Sequence, residues 1–281
     1  MSFGKIFGDT WREYVSNWKV FTKFLLIFLL IPSVILAIFS SYSQVNLANM
    51  GLQFASGIMG ILFFGLFILA SVGIIYEVIK KKKGKYEYTS MFLGGKEYFW
   101  RYLGFIMLLS VIILGILIAL IIPFILLLGL SNRILTAVVG GIFMIAFIVV
   151  IVYLFVRWAF TPYILINENK HLMESFSSSS RFVKGRWVKI FGYFLMFGLI
   201  VGVIEVIIFG ITEAINFLIS IPFEDLVRVI DEVKIYPLKI QLARNLISSI
   251  SSFIINIITL PLGALFTKNL YFSLKKNNKI S

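Results

Sequence analysis

Six long apolar runs constrain this chain more than any other feature. A helix needs about 20 mostly apolar residues to cross ~30 Å of hydrocarbon, and each run has about that length or more. Lipid offers the backbone no hydrogen-bond partner, and the runs lack the alternation of barrel strands, so each is expected to be helical. The runs are Val20–Ser40, Ala55–Val78, Tyr102–Leu128, Leu135–Trp158, Val188–Thr212 and Ser248–Leu270. The sequence therefore predicts an all-α, polytopic transmembrane helical bundle with six spans.

The composition agrees with a membrane protein. Hydrophobic residues make up 60% of the 281 residues and charged residues only 14%, whereas a soluble domain has about 25% charged residues. The chain has no cysteine, which excludes disulfides and thiolate metal sites. Its net charge of +13 is compatible with either nucleic acid or a membrane surface as partner.

The positions of the basic residues favour the membrane surface. Four basic residues lie at the ends of spans and are counted with the adjoining segment: Lys23, Arg157, Lys189 and Lys268. On this count the segment before the first span, every second connection after it and the tail hold 4, 7, 6 and 4 of the 26 Lys and Arg residues, and the intervening connections hold 0, 1 and 4. Cytoplasmic connections carry such an excess. We therefore expect a multi-pass protein of the cell membrane with both termini in the cytoplasm. Anionic inner-leaflet headgroups are the expected partners, a protein on the cytoplasmic face is a possible one, and nucleic acid is not expected.

Three tryptophans predict an internal repeat. Trp18, Trp100 and Trp187 each have basic neighbours and open spans one, three and five, at spacings of 82 and 87 residues. They are expected to anchor the chain at the interface. The spacing indicates three tandem helical hairpins, at about residues 1–80, 81–168 and 169–281. The alternative is that there is no repeat, because aromatic and basic residues are enriched at any membrane interface.

Short amphipathic helices are expected beside the spans. Residues 3–15 and 170–184 each combine an apolar face with basic residues, which suits helices in the inner headgroup region or on the cytoplasmic face of the bundle. Residues 91–99 form a weaker candidate because Gly94 and Gly95 oppose helix. The fifth connection predicts a short outer-surface helix that starts near Pro222 and ends before Pro237.

Glu205 is the only carboxylate well inside a predicted span. Intramembrane ionisable residues are costly and are functional candidates by default. Gly198 and Gly202 precede Glu205 on the same stripe and indicate a close helix contact. A matching polar face on span six places Glu205 nearest Ser249 and Ser252 in an antiparallel hairpin, with Asn256 one turn further. The group is interpreted either as a hydrogen-bonded helix contact, which is preferred, or as a proton or cation site.

No catalytic residue, cofactor site or metal site is predicted. The sequence has no phosphate-binding loop, nucleophile elbow or dinucleotide fingerprint. Glu168, His171 and Glu174 are spaced by three, so one helix would present them together. A metal site with a single histidine and ligands from one element is a weak hypothesis, and a surface segment is the preferred interpretation. Three prolines, Pro32, Pro123 and Pro261, lie inside spans and are expected to kink them.

Two stretches carry a family resemblance. Residues 157–165 (RWAFTPYIL) and 174–187 (ESFSSSSRFVKGRW), with Pro261, Leu262, Thr267 and 270–272 (LYF) near the end, resemble the membrane domain attached to some glycerophosphodiester phosphodiesterases and related uncharacterised prokaryotic membrane proteins. In that family a separate soluble barrel with several histidines performs the reaction. The resemblance therefore implies the membrane part without the phosphodiesterase.

Three functional hypotheses follow. The preferred one is a non-enzymatic membrane domain that organises or senses the inner leaflet, or docks a partner there. The first alternative is a small transporter or channel that uses the polar face of spans five and six. The second is a membrane-embedded lipid enzyme, which has the least support because no motif for it is found.

Overall fold

The computed structural model describes residues 2–81, 85–128, 133–221, 228–230 and 233–277. In this part of the chain six helical stretches are long and apolar enough to cross a membrane. The predicted all-α polytopic bundle is therefore confirmed. The helices are α1 (Phe3–Leu25), α2 (Ile31–Val45), α3 (Met50–Lys80), α4 (Tyr88–Leu128), α5 (Arg133–Trp158), α6 (Thr161–Asn167), α7 (Leu172–Val183), α8 (Trp187–Ser220) and α9 (Leu238–Asn277).

The first stretch is longer than the predicted first span. A π-helical segment, Leu26–Leu30, joins α1 to α2, so one helical stretch runs from Phe3 to Val45. Pro32 has no N–H, and the Phe28 carbonyl four residues earlier therefore lacks its usual donor. A widened turn just before the proline is a common way for a helix to absorb such a defect.

The fifth connection contradicts the predicted outer-surface helix. Within residues 228–235 the chain forms two antiparallel strands, β1 (Arg228–Ile230) and β2 (Val233–Ile235), with Ile230 paired to Val233. Most residues of the two strands are β-branched, which favours the extended state over a helix. The proposed helix start, residues 222–227, lies outside the described part.

The chain divides into two compact units. Unit 1 comprises Met1–Glu97 and Leu195–Ser281, and unit 2 comprises Tyr98–Phe194. These boundaries follow compactness and do not coincide with the three hairpins predicted at residues 1–80, 81–168 and 169–281. The internal repeat stays a prediction.

In unit 1 the N-terminal helix packs along the last one. The buried residues Ile6, Tyr14 and Phe21 recur on one face of α1, and α1 contacts α9 along much of its length. The Tyr14 hydroxyl donates a hydrogen bond to the Ile257 carbonyl at 3.3 Å. Pro261 leaves that carbonyl without its helical donor. Residues 3–15 are expected either in the inner headgroup region or against the bundle. Packing of α1 against α9 explains why the apolar face of α1 is buried.

Three glycines permit a close approach of α3 and α4 in unit 1. A side chain at Gly73 would collide with the Met91 carbonyl oxygen and would lie 3.1 Å from the Phe24 ring. A Cβ at Gly95 would lie 2.8 Å from the Leu69 carbonyl oxygen. Gly94 faces the Tyr76 ring in the same way. Gly94 and Gly95, which have a low helix propensity, therefore lie in a helix. Their lack of a side chain allows α3 and α4 to pack closely.

Unit 2 has its core around a short buried helix. Residues 161–166 of α6 are all buried, and α7 packs against α6 and α5. The Phe176 ring of α7 lies 5.3 Å from Phe105 and meets Trp158 edge-on at 5.1 Å. This packing fixes the position of α7 relative to the end of α5, where the candidate site lies.

Candidate functional site

A cavity of about 400 Å³ opens in unit 2. It lies among the end of α5, the second half of α7 and the start of α8. Its polar and aromatic lining consists of Tyr153, Arg157, Ser180, Arg181, Lys184 and Trp187. The volume lies within the range of about 300–1,000 Å³ that is typical of small-ligand sites.

Arg157 is held in place by the neighbouring helix. Its Nε donates to the Ser180 Oγ at 3.0 Å, and its guanidinium lies 5.9 Å from the centre of the Tyr153 ring. The Ser179 Oγ donates to the Arg157 carbonyl at 2.9 Å. These contacts engage only one of the guanidinium's nitrogens, so its terminal N–H groups remain available to a ligand.

The cavity has an uncompensated positive charge. Arg157, Arg181 and Lys184 all line it, and no lining residue is a carboxylate. Arg181 and Lys184 are exposed, and neither forms an ion pair within the described residues. Glu168, one of the two carboxylates of unit 2, is paired with Lys170 at 2.7 Å.

An aromatic pair forms one side of the cavity. The Trp187 and Tyr153 rings are stacked at 5.9 Å, and the Trp187 Nε1 donates to the Tyr153 carbonyl at 3.3 Å. Trp and Tyr rings of this kind occupy the headgroup level of membranes. The other two predicted anchors, Trp18 and Trp100, have 46% and 75% of their surface exposed, so neither is used in the protein core.

A second polar group is buried in unit 1. The Lys268 ammonium of α9 forms an ion pair with Glu13 of α1, and its side chain is only 4% exposed. The Tyr86 hydroxyl also donates to Glu13, and the Tyr86 backbone N–H donates to Asn17 at 3.2 Å. Asn269 donates to the Glu13 carboxylate at 3.5 Å. The group therefore ties the N-terminal helix, the connection between α3 and α4, and the last span together.

Burial raises the pKa of the Tyr86 hydroxyl above its ordinary range, and the hydrogen bond to Glu13 and its charge raise it further. The hydroxyl is therefore protonated at neutral pH and acts as a donor to the carboxylate. The Lys268 ammonium supplies the opposite charge for the Glu13 carboxylate, and Lys268 and Tyr86 both donate hydrogen bonds to it. A buried carboxylate needs such partners to offset the loss of water. This arrangement is suited to holding elements together.

A third polar group, next to it, lies at the C-terminal end of α3. The Glu77 side chain is fully buried, and its carboxylate accepts from the Glu87 backbone N–H at 2.8 Å. The Lys81 ammonium lies 3.4 Å from the same oxygen and 2.7 Å from Glu87. The contacts join the end of α3 to the start of α4 beside Tyr86.

The sequence carries one signal for the buried ion pair. Lys268 lies inside the last apolar run, Ser248–Leu270, where it adds to the basic charge beside the tail. A lysine so placed is costly and indicates a partner. Its partner Glu13 is 255 residues away in the chain, and no local pattern links the two.

The predicted contact of Glu205 with Ser249 and Ser252 is wrong. The Ser249 Oγ donates to the Ser33 carbonyl at 3.3 Å. Within the described part of the chain, the side chains of Glu205, Ser252 and Asn256 have no hydrogen bond or ion pair among those observed. Glu205 is half-buried.

The physical reason is the register of α8 against α9. The Phe197 ring stacks on Phe266 at 4.3 Å, and the Thr212 Oγ1 donates to the Ser251 Oγ at 2.6 Å. The Asn216 Nδ2 lies 3.5 Å from the Ser248 Oγ. This antiparallel register places Glu205 opposite Ile258, about two helical turns from the predicted serines. The polar contact between the two spans is made by Thr212 and Asn216 instead.

Thr212→Val is expected to be more damaging than Glu205→Leu. Loss of the bond to Ser251 costs about 0.6 kcal/mol on average and up to ~1.7 between membrane helices. Glu205→Leu removes no observed hydrogen bond and removes a polar group from an apolar span, so stability is expected to stay equal or to rise. Thermal unfolding of both variants in one detergent compares them. A larger loss for Glu205→Leu than for Thr212→Val would refute the register.

The spacing of Glu168, His171 and Glu174 does not produce one helical face. Helix α6 ends at Asn167 and α7 begins at Leu172, with His171 as its N-cap residue. Glu168 lies just beyond α6, and Glu174 lies in the first turn of α7. Within the described residues no three His, Cys, Asp or Glu side chains form a cluster fit for a metal ion.

Comparisons with protein-family models, with curated proteins and with solved structures found no match for this chain.

Proposed function

We propose that this chain is a non-enzymatic integral membrane protein that engages anionic lipids of the inner leaflet. The observation that carries the proposal is the charge imbalance of unit 2. Between Tyr98 and Phe194 the sequence has eight Lys or Arg residues and two carboxylates. The basic residues are Arg101, Arg133, Arg157, Lys170, Arg181, Lys184, Arg186 and Lys189.

Most of these charges are concentrated near one end of the apolar helices. Arg181, Lys184 and Lys189 are exposed around the turn between α7 and α8. Each basic residue near an anionic leaflet contributes about 1 kcal/mol of attraction. The predicted cytoplasmic location of this turn supports the same assignment, because the anionic surface potential belongs to the cytoplasmic leaflet.

The transporter or channel hypothesis has less support. The polar residues of α8 and α9 that lie between the spans bond to one another, as Thr212 does to Ser251, and Ser249 bonds to the Ser33 backbone. Such contacts serve helix packing. Glu205, the residue on which that hypothesis depended, has none of these partners.

The family resemblance is compatible with the proposal. It implies a membrane domain, and the residues that carry it at 157–187 include much of the cavity lining. Docking of a cytoplasmic protein to the same basic surface is the other form of the hypothesis, and the lipid experiment separates the two.

The test is lipid enrichment around the full-length protein. The protein is extracted with a native-disc polymer from membranes that contain phosphatidylglycerol and phosphatidylethanolamine, and the lipids in the discs are quantified against the bulk membrane. We expect phosphatidylglycerol to be enriched and the enrichment to fall with added salt. A lipid composition equal to the bulk at low salt would contradict the proposal and leave a protein partner as the alternative.

A further inference from the structure

We propose that the cavity of unit 2 is a discrete binding site for the phosphate of one anionic phospholipid headgroup. The inference rests on the proposed function and goes further, because lipid attraction by a basic surface requires no defined site. Arg157, Arg181, Lys184, Ser180 and Trp187 supply its binding groups.

The donor set suits a phosphate. Arg157 is oriented by its Nε bond to Ser180 at 3.0 Å, which leaves its two terminal nitrogens for an oxyanion. A guanidinium binds phosphate oxygens through two parallel hydrogen bonds, and an ammonium adds a point charge. Arg181 and Lys184 supply two further positive charges in the same cavity. With no carboxylate in the lining, an anion has no repulsive neighbour there.

The position of the cavity favours a lipid over a free phosphate. Tyr153 lies on α5 one turn beyond Val149, and Val149 is 60% exposed. Val188 follows Trp187 at the start of α8 and is 76% exposed. Acyl chains that leave a headgroup in the cavity would find these exposed apolar residues alongside it. The Trp187–Tyr153 pair lies between the basic cavity and these exposed apolar residues, as aromatic residues at a membrane interface do.

The experiment measures lipid retention by the full-length protein in detergent, using native mass spectrometry. The probes are phosphatidylglycerol and phosphatidylcholine with the same acyl chains. We expect one phosphatidylglycerol to be retained in preference to phosphatidylcholine. Arg181→Gln and Lys184→Gln should each weaken its binding about fivefold, as expected for one basic residue. Arg157→Gln should weaken it at least as much.

Arg186→Gln is the matched control, because Arg186 lies in the same turn but does not line the cavity. It should change retention less than twofold if the site is discrete. Equal losses for Arg186→Gln and Arg181→Gln would overturn the discrete site while lipid enrichment in discs, and hence the proposed function, would persist. Absence of any phosphatidylglycerol preference in the parent protein would overturn both.

Two further arms address the ligand's source and the fold of the variants. Phosphatidylglycerol should remain bound in excess inorganic phosphate, because its acyl chains also contribute, and complete displacement by phosphate would overturn the lipid assignment. Lys184 is exposed and has no ion pair among the described residues, so Lys184→Gln should unfold at the parent temperature. Unchanged lipid retention by that folded variant would count against the site.

Discussion

Lys268→Met is expected to destabilise the protein by about 3–5 kcal/mol, the cost of leaving one charge of a buried pair uncompensated. The Lys268 side chain is 4% exposed and Glu13 is 21% exposed. Removal of the ammonium leaves the Glu13 carboxylate with Tyr86 and Asn269 as donors but without a counter-charge. The measurement is the thermal or denaturant unfolding of the parent and the variant in the same detergent.

A second substitution separates the charge from the packing. Glu13→Gln in the Lys268→Met background removes the orphaned charge, and the amide carbonyl still accepts from Tyr86. The double variant should recover most of the lost stability. Lys276→Met is the matched control, because Lys276 is exposed on the same helix α9, and its effect should stay within about 0.5 kcal/mol. A Lys268→Met variant as stable as Lys276→Met would contradict the buried pair.

Gly73→Ala is expected to lower the stability by about 1–3 kcal/mol or more, the usual range for overpacking. The added methyl would collide with the Met91 carbonyl oxygen of α4 and approach Phe24 to 3.1 Å. A backbone carbonyl cannot rotate away as a side chain can, so the two helices must separate. The loss should exceed the gain of up to ~1 kcal/mol that alanine brings to a helix.

Gly65→Ala supplies the matched control for this prediction. Gly65 lies two turns earlier on the same helix α3, and a Cβ there would meet no atom within 4 Å. The control should be neutral or slightly stabilising. Equal unfolding temperatures for Gly73→Ala and Gly65→Ala would show that α3 and α4 do not approach as closely as described.

The spans were predictable because they depend on local composition. Six apolar runs and the absence of barrel alternation suffice for six helices, and the described part of the chain has six such stretches. The helix predicted after Pro222 was wrong at residues 228–230 and 233–235, where the β-branched residues form strands. The spacing of the apolar residues is compatible with either a helix or a strand. In so short a segment the local pattern of apolar residues does not distinguish a helix from a strand.

The candidate site was predictable only in part. The interfacial chemistry of Trp187 and of the basic residues at 181–189 is visible in the sequence. Their proximity to Arg157 is not, because it depends on how α7 packs against α5. The error at Glu205 has the same origin. A stripe of polar residues indicates which helix face is buried, but the register is set by distant pairs such as Phe197 with Phe266. Lys268 and Glu13 are likewise brought together only by the tertiary fold.

The proposed function requires the basic end of the helices of unit 2 to face the inner leaflet, and cysteine accessibility in intact cells tests this most directly. The chain has no cysteine, so Ala48→Cys and Ser177→Cys each introduce a single thiol at an exposed position. A membrane-impermeant thiol reagent should label Cys at position 48 from outside and label position 177 only after the cells are permeabilised. Labelling of position 177 in intact cells, with position 48 protected, would contradict the orientation and the proposed inner-leaflet function with it.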